Sequence, residues 1–392
     1  MKIETIHIKN YKVFRDITLK DLPNMCVVLG ANGTGKTTLF DVFAFLQDAL
    51  NQNVRQALEK RGGFKEVVSR NRLGPIVIEI KYREKSQSPL ITYSISLNLI
   101  NKQPIVESER LQYRLCQRGK TCKLIDFHEG YGRVLSYEHD KNTSKEEMRT
   151  EDKELESPDI LAIKGLGQFQ QFREIAQLRR MIENWHVSDF RINDARESHQ
   201  AGYAEHLSLH GENIPLVARY IFDKHPDVFN DVLEKMKRSI PGVKQFAADI
   251  TLDERIVLKF QDGAFKDPFI AKNTSDGTIK MFAYLLLLHD PHPHPLLAVE
   301  EPENQLYPDL LMELAEEFRT YSRRGGQVFI TTHSPDFVNG VELDELYYLT
   351  KKEGFSQIHH ATEIPQLKNL VKEGDTPGYL WRQGLFEGAE LN

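Results

Sequence analysis

The chain has 392 residues, of which 40% are hydrophobic and 28% charged, with a formal net charge of −6. This composition is typical of a folded globular protein, excludes a disordered or fibrous chain and gives no general attraction to nucleic acid. The longest apolar run, residues 281–288, is far shorter than the roughly 18 residues of a membrane helix. The first residues lack the apolar core of a signal peptide, and the three cysteines form no CxxC pattern. We therefore expect a cytoplasmic protein with no membrane segment, built as two units or as one domain with a large insertion.

The first elements along the chain are predicted to be strands that lead into a glycine-rich turn. Apolar and polar residues alternate at residues 6–8 and 17–19, which predicts two strands with one buried face. Residues 25–29 form an unbroken apolar run, typical of a parallel strand that is covered on both faces. The glycine-rich segment 30–35 follows, and apolar residues then recur at helical spacing over residues 39–50. A strand, a glycine-rich turn and a helix in this order are typical of a phosphate-binding site.

Residues 30–37 match the pattern G-x-x-x-x-G-K-[ST] at every fixed position. Glycines let successive backbone N–H groups face phosphate oxygens, and the N-terminus of the following helix adds a partial positive charge. We expect Lys36 to bind the β- and γ-phosphates of ATP and the Thr37 hydroxyl to bind Mg²⁺. The alternative is a glycine-rich turn without a ligand, which the flanking strand and helix disfavour. The predicted nucleotide-binding residues are Asn32, Gly33, Thr34, Gly35, Lys36, Thr37 and Thr38.

The central part of the chain predicts β structure followed by helices. Runs with strand character, separated by turns, occupy residues 76–137, and we interpret them as an antiparallel meander. Thirteen of the 22 residues in 138–159 are charged, so we predict a solvated loop without a fold there. Helical periodicity marks residues 166–186 and 212–240, and a strand pattern returns at 250–260.

Two adjacent acids follow the apolar run 296–299, which predicts a second buried parallel strand. Because ligands of open α/β folds bind at the carboxyl ends of the strands, Glu300 and Glu301 are expected to face a ligand. Glu300 is predicted to hold Mg²⁺, and Glu301 to position and deprotonate the water that attacks the γ-phosphate. A solvated acidic turn is the alternative, and the glycine-rich motif upstream favours the functional interpretation.

Two shorter motifs accompany the acids. Ser275, Asp276 and Gly277 precede a strongly apolar helix, and a hydroxyl, a glycine and a helix N-terminus together can bind an anion. The alternative for this motif is a helix N-cap followed by a turn. His333 ends a strand-like run and could donate a hydrogen bond to the γ-phosphate, although a capping histidine at a strand end is the simpler interpretation of that residue alone.

The order of these motifs, a glycine loop, S-D-G-T, E-E-P-E-N and T-H-S, resembles the ABC-type ATPase heads of the SMC, RecF and OLD families. The chain looks most like the OLD-like AAA_21 group. The resemblance implies an α/β fold of the P-loop NTPase class, an ABC-type ATPase head with an antiparallel β subdomain and an inserted helical subdomain. It also implies that Ser275, Asp276 and Gly277 form a signature motif that contacts the γ-phosphate bound by a second subunit. ATP would then be sandwiched in a head-to-tail homodimer.

The resemblance further implies roles for residues near the acids. Residues 303–304 would form the D-loop region, and His333 would be the switch histidine. Lys36, Glu301 and His333 are then the predicted catalytic residues, with ATP and Mg²⁺ as cofactors. Glu300 stands where most such ATPases carry Asp.

On this basis we predict three segments. Residues 1–165 would form lobe I with the phosphate-binding loop and the meander, 166–245 a helical insertion, and 246–392 lobe II with the signature, the acids and the switch histidine. OLD nucleases carry a Toprim nuclease domain after the ATPase, and we expect none in the 59 residues that follow His333. The expected partner is therefore a separately encoded Toprim-like or other nuclease or effector, in phage defence or DNA maintenance.

Two other functions are compatible with the motifs. The chain could be an ATP-dependent scaffold that sequesters or assembles a toxin or nuclease without significant turnover. It could also be the ATP-binding subunit of an ABC transporter, which the long insertion between Lys36 and Ser275 disfavours.

Three groups of residues have a simpler structural interpretation. The basic residues of 60–72 and the arginines of 173–196 could contact DNA, but a solvated face is the simpler explanation. His289, His292 and His294 lie among three prolines, and we predict a stiff loop there rather than a metal site.

Overall fold

The structure is a computed structural model that describes residues 1–114, 121–139 and 146–386. The strands, in chain order, are β1 (Lys2–Tyr11), β2 (Phe14–Leu19), β3 (Met25–Leu29), β4 (Ile76–Arg83), β5 (Ile91–Ile100), β6 (Gln103–Arg114), β7 (Thr121–His128), β8 (Tyr131–His139), β9 (Glu146–Glu154), β10 (His186–Ser188), β11 (His199–Gln200), β12 (Val243–Ile250), β13 (Arg255–Asp262), β14 (Phe269–Ile270), β15 (Leu296–Glu300), β16 (Gln327–Thr332), β17 (Leu346–Lys352) and β18 (Phe355–His360). The helices are α1 (Lys36–Asn51), α2 (Val54–Glu59), α3 (Phe64–Val67), α4 (Ala162–Leu166), α5 (Arg173–Glu183), α6 (Ile192–Ala195), α7 (Ile214–Lys224), α8 (Pro226–Ser239), α9 (Asp276–Leu288), α10 (Leu311–Arg323), α11 (Pro335–Val338), α12 (Pro365–Glu373) and α13 (Pro377–Arg382).

The chain divides into two compact units, each assembled from separate stretches of sequence. Unit 1 contains Met1–Trp185, Leu343–Lys368 and the described residues from Gly384 onward. Unit 2 contains His186–Glu342 and Asn369–Gln383. These boundaries differ from the three segments predicted from sequence. The reason is that β17, which follows Leu343 and forms a hairpin with β18, pairs with β3 near the start of the chain.

Unit 1 is built around a large antiparallel sheet. Within the described residues its strand order is β2-β1-β4-β5-β6-β7-β8-β9. From β4 to β8 each strand pairs with the next, with Ile80 opposite Tyr93 in the first pair, so the predicted antiparallel meander is confirmed. Every second residue of β4 is buried, as expected for a strand that packs on one face only.

A second group of strands in unit 1 carries the phosphate-binding loop. All five residues of β3 are buried, which explains its unbroken apolar sequence. β17 pairs with β3 in parallel, with Leu346 opposite Val27, and pairs with β18 as an antiparallel hairpin.

The prediction of a loop without a fold at residues 138–159 is wrong for much of its length. β9 pairs with β8 from Tyr131 opposite Glu154 to His139 opposite Glu146, and residues 140–145 lie outside the described residues. β9 is the last strand in the order of its sheet. Charged side chains are common on edge strands, because they discourage another strand from pairing with the free edge of the backbone.

Unit 2 contains a parallel group of strands. β15 pairs in parallel with β10 on one side and with β16 on the other, and Glu300 lies opposite Thr331. The buried strand predicted at 296–299 is therefore confirmed. α9 is buried from Thr278 to Leu288, which explains why this helix is apolar on every side.

Three predicted elements have different limits in the structure. The helix expected at 212–240 is two helices, α7 and α8, because Pro226 lacks the backbone N–H needed inside a continuous helix. The strand expected at 250–260 is the junction of β12 and β13, and Glu254 adopts a left-handed conformation with φ 57° in the connecting turn. The helix expected at 166–186 is confined to α5.

In the part of the chain that the structure describes, no helix combines the length and apolar content required to cross a bilayer.

Candidate functional site

The glycine-rich loop joins β3 to α1 in unit 1. Gly33 and Gly35 have φ of 78° and 104°, a region that favours glycine because a side chain would be strained there. α1 begins directly after Gly35, at Lys36. The local order of strand, turn and helix is thus the one predicted, and a turn of this kind before a helix can present backbone N–H groups to an anion.

Lys36 is folded back over this loop. Its side chain is buried, and Nζ donates to the carbonyl oxygens of Gly30 at 2.7 Å and Ala31 at 3.4 Å. The Thr34 hydroxyl also donates to the Ala31 oxygen, at 2.8 Å. The ammonium group is therefore held inside the loop by neutral carbonyl oxygens, and a phosphate oxygen would be a stronger acceptor for it.

The hairpin formed by β17 and β18 contacts the glycine-rich loop, although it lies more than 300 residues later in the chain. The Ser356 hydroxyl donates to the Thr34 carbonyl oxygen, and Lys351 Nζ lies 3.3 Å from the Gly33 carbonyl oxygen. A Cβ atom added at Gly35 would lie 3.0 Å from Ser356 Oγ and 2.8 Å from Val13, so the close packing also requires glycine. Sequence analysis missed both hairpin residues, because neither belongs to a local motif.

In unit 2, Glu301 occupies the turn that follows β15. Its backbone has φ 43°, an unusual conformation for a residue other than glycine, and its N–H donates to the Thr331 carbonyl oxygen at 2.8 Å. One carboxylate oxygen accepts from Asn304 Nδ2 at 3.1 Å, and the other lies 3.2 Å from His333 Nδ1. The structure therefore brings the predicted base and the predicted switch histidine into contact.

A second carboxylate, from Glu303, anchors the end of β16. Its Oε1 accepts a hydrogen bond from the Thr332 hydroxyl at 2.7 Å and from the His333 backbone N–H at 2.9 Å. The Glu303 carboxylate is buried. Burial of Lys280 lowers the pKa of that ammonium group to about 8, although the negative charges of Glu303, Asp189 and Glu301 act to raise it. Sequence analysis assigned Glu303 to a D-loop by resemblance and missed this anchoring contact.

The predicted signature residues form the N-terminus of α9. Ser275 is exposed and caps the helix, accepting from the Thr278 N–H at 3.3 Å. Asp276 pairs with Arg196 at 2.6 Å, and Arg196 also donates to the Thr274 carbonyl oxygen. A Cβ atom added at Gly277 would lie 3.1 Å from the Gln305 carbonyl oxygen. Arg196, considered above as a possible DNA contact, instead supports the signature segment.

The predicted magnesium ligands have suitable chemistry. Thr37 is exposed in the first turn of α1, and Glu300 is the half-buried last residue of β15. Hydroxyl and carboxylate oxygens are the protein ligands that Mg²⁺ prefers. The loop residues and Thr37 belong to unit 1, whereas Glu300, Glu301, His333 and the signature residues belong to unit 2.

A buried strand leading into a lysine-bearing glycine loop, and a second strand leading into paired acids, define an ABC-type head of the P-loop NTPase class. The chain belongs to the AAA_21 family, described as "AAA domain, putative AbiEii toxin, Type IV TA system", which matches residues 25–339. No curated protein matches its sequence.

Solved SMC heads have a similar fold. One is an SMC head bound to the C-winged helix domain of ScpA, with 12% identity and a TM-score of 0.56 over 92% of this chain and 98% of that chain. Another is an Smc head with an extended coiled coil, bound to the C-terminal domain of ScpA, described as derived from Pyrococcus furiosus. It has 11% identity and a TM-score of 0.51 over 94% of this chain and 99% of that chain. At such identities the likeness concerns the fold alone, and it agrees with the predicted fold class.

The role of Glu303 can be measured through stability. We expect Glu303→Ala to lower the free energy of unfolding by about 1–3 kcal/mol, because the buried Thr332 hydroxyl and His333 N–H lose their acceptor. Glu303→Gln is the matched control, since its amide oxygen can still accept both bonds. Urea denaturation of the two variants checks the expectation, and equal losses for Ala and Gln would contradict it.

Proposed function

We propose that the protein binds ATP with Mg²⁺ and hydrolyses it as a dimerising molecular switch in the cytoplasm. Membership of the AAA_21 family supports nucleotide binding. The observation that carries hydrolysis is the contact between Glu301 and His333 at 3.2 Å. A base must be oriented to act on water, and Asn304 Nδ2 donates a hydrogen bond to the Glu301 carboxylate, whose other oxygen lies beside His333.

The proposed roles follow from the chemistry of each side chain. Lys36 binds the β- and γ-phosphates together with the backbone N–H groups of the loop, and Thr37 and Glu300 bind Mg²⁺. When bound, Mg²⁺ neutralises charge on the phosphates. Glu301 orients the attacking water and accepts its proton, while His333 donates a hydrogen bond to the γ-phosphate.

We propose that the signature residues act on the ATP bound by a second copy of the chain. Ser275 is exposed, so a partner subunit can approach the hydroxyl that caps α9. The ion pair between Asp276 and Arg196 fixes the segment before α9, and the N-terminus of this helix favours an anion. ATP held between the two copies would close the dimer, and hydrolysis would open it.

Replacing the proposed base separates ATP binding from hydrolysis. We expect Glu301→Gln to lower steady-state phosphate release by about 100-fold or more while ATP binding persists, because the amide cannot accept the proton from water. The variant should also accumulate as an ATP-bound dimer in gel filtration with light scattering. The exposed Glu373→Gln is the control. Turnover equal to that of the wild type would remove Glu301 from the mechanism, and no phosphate release by the wild type would favour a scaffold without turnover.

A mixture of two inactive variants tests whether the proposed ATP site is shared between two subunits. We expect Lys36→Ala and Ser275→Arg each to abolish turnover, since one removes the phosphate-binding lysine and the other places a large side chain at the signature. In an equal mixture, half of the dimers would contain one intact composite site, so about a quarter of the wild-type turnover should return. Circular dichroism confirms that both variants fold. A mixture as inactive as its components would argue against a site shared in trans.

We further propose that the switch acts on a separately encoded partner, a Toprim-like or other nuclease or effector, in phage defence or DNA maintenance. The family description, which names a putative toxin of a toxin–antitoxin system, supports such a setting. Direct DNA contact has less support, because the Arg61 side chain is only 7% exposed and is paired with Asp41 at 2.7 Å and with Asp48 at 2.8 Å. Arg196, another basic candidate, is paired with Asp276.

The partner can be sought with the trapped state. We expect affinity purification of Glu301→Gln from the native host to recover a nuclease or effector in larger amounts than Lys36→Ala does, because only the former retains bound ATP. Mass spectrometry identifies the recovered chains. DNA cleavage by the purified protein alone, in the presence of Mg²⁺ and ATP, would refute the need for a separate nuclease.

A further inference from the structure

Histidine and aspartate side chains from two separate stretches of unit 2 meet beside the amino-terminal end of β15. His206 lies in the connection between β11 and α7, whereas Asp290 and His294 lie in the proline-rich connection between α9 and β15. We propose that His206, Asp290 and His294 form a binding site for a transition-metal ion of the zinc class. The three residues are called the His–Asp cluster below.

The distances within the His–Asp cluster suit a single ion. One potential ligand atom from each residue lies within 4.8 Å of the other two. Three atoms with this spacing fit within a circle whose radius is about 2.8 Å, whereas zinc bonds to nitrogen and oxygen are about 2.0–2.2 Å long. Shifts of less than about 1 Å would therefore bring all three atoms into bonding distance.

The present contacts already hold two of the ligands together. His206 Nδ1 lies 2.6 Å from Asp290 Oδ2, and the rings of His206 and His294 are 4.8 Å apart between centroids. His206 is partly exposed, which gives an ion access, whereas the Asp290 carboxylate is only 6% exposed. A buried carboxylate is costly unless a positive charge compensates it, and a metal ion or a protonated His206 can supply that charge.

The backbone that carries Asp290 and His294 is held in place. Pro291, Pro293 and Pro295 restrict φ in this connection. The other Asp290 oxygen, Oδ1, accepts the His292 N–H at 2.8 Å, and the Tyr321 hydroxyl donates to the His294 carbonyl oxygen at 3.3 Å. Supporting contacts of this kind orient metal ligands and lower the cost of assembling the site.

His186, the first residue of β10, packs against the His–Asp cluster. Its ring stacks on that of His294, with centroids 4.7 Å apart and an interplanar angle of 20°. The residue is 8% exposed, and within the described residues its Nε2 has no hydrogen-bond partner. His186 thus adds a third imidazole beside the His–Asp cluster, as a neighbour of its ligands.

The donor set selects the class of metal. Two imidazoles and one carboxylate are typical of zinc and its neighbours among the transition metals, whereas Mg²⁺ and Ca²⁺ prefer oxygen ligands alone. The site is thus distinct from the proposed Mg²⁺ site at Glu300. Because β15 begins two residues after His294 and ends at Glu300, an ion here would fix the entrance of the strand that carries the acids.

The test uses the full-length chain without a histidine tag and without nucleotide. The protein is stripped with a chelator, given one equivalent of Zn²⁺ and passed through gel filtration. We expect about one zinc per chain by elemental analysis, an increase in Tm, and with Co²⁺ the visible absorption of a four-coordinate ion. No retained zinc together with no cobalt absorption would overturn the proposal.

Variants locate the ion. We expect His206→Gln and Asp290→Asn each to weaken zinc affinity by more than about 100-fold, because each removes a direct ligand. His292→Gln is the matched control, since it lies in the same connection but outside the His–Asp cluster. Wild-type affinity in both ligand variants would place the ion elsewhere and overturn the assignment. If either variant fails to fold, His294→Gln takes its place in the same comparison, and wild-type affinity there likewise overturns the assignment.

Discussion

The arrangement of the acidic residues in unit 2 depends on the Glu303 carboxylate, which attaches the end of β16 to the turn after β15. Oε1 accepts from the Thr332 hydroxyl and from the His333 backbone N–H, so His333 cannot move away without leaving buried donors unsatisfied. The short distance between His333 and Glu301 depends on this attachment. A change in the contacts of His333 would therefore alter the position of Glu301 and of the start of α11, which begins two residues after His333.

The phosphate-binding loop is supported in a comparable way, by residues distant in sequence. Thr34 is held through its hydroxyl by Ala31 and through its carbonyl oxygen by Ser356. Backbone N–H groups can bind phosphate strongly only if the loop does not have to reorganise, so contacts that occupy its carbonyl oxygens favour binding. Within each unit, the residues that are predicted to contact a ligand are held by others that are not.

The parts of the site that could be predicted from sequence are those set by local order. The strand, glycine loop and helix around Lys36 depend on neighbouring residues, and so does the strand that delivers Glu300 and Glu301. The positions of Arg196 and Ser356 could not be predicted, because they depend on pairing between segments 80 or more residues apart and leave no local pattern. The prediction for β9 was wrong for a different reason, since hydrophobic periodicity cannot reveal a strand whose side chains remain in water. The predictions of site chemistry stay predictions.

The charged sequence of β9 has a consequence for how copies of the chain can meet. Residues 149–154 place Arg, Glu, Asp and Lys side chains along the rim of the largest sheet in the described part of the chain. Pairing of two such edges would bring these charged side chains close together and remove part of their water. Growth of the sheet from one molecule into the next through this edge is thereby discouraged.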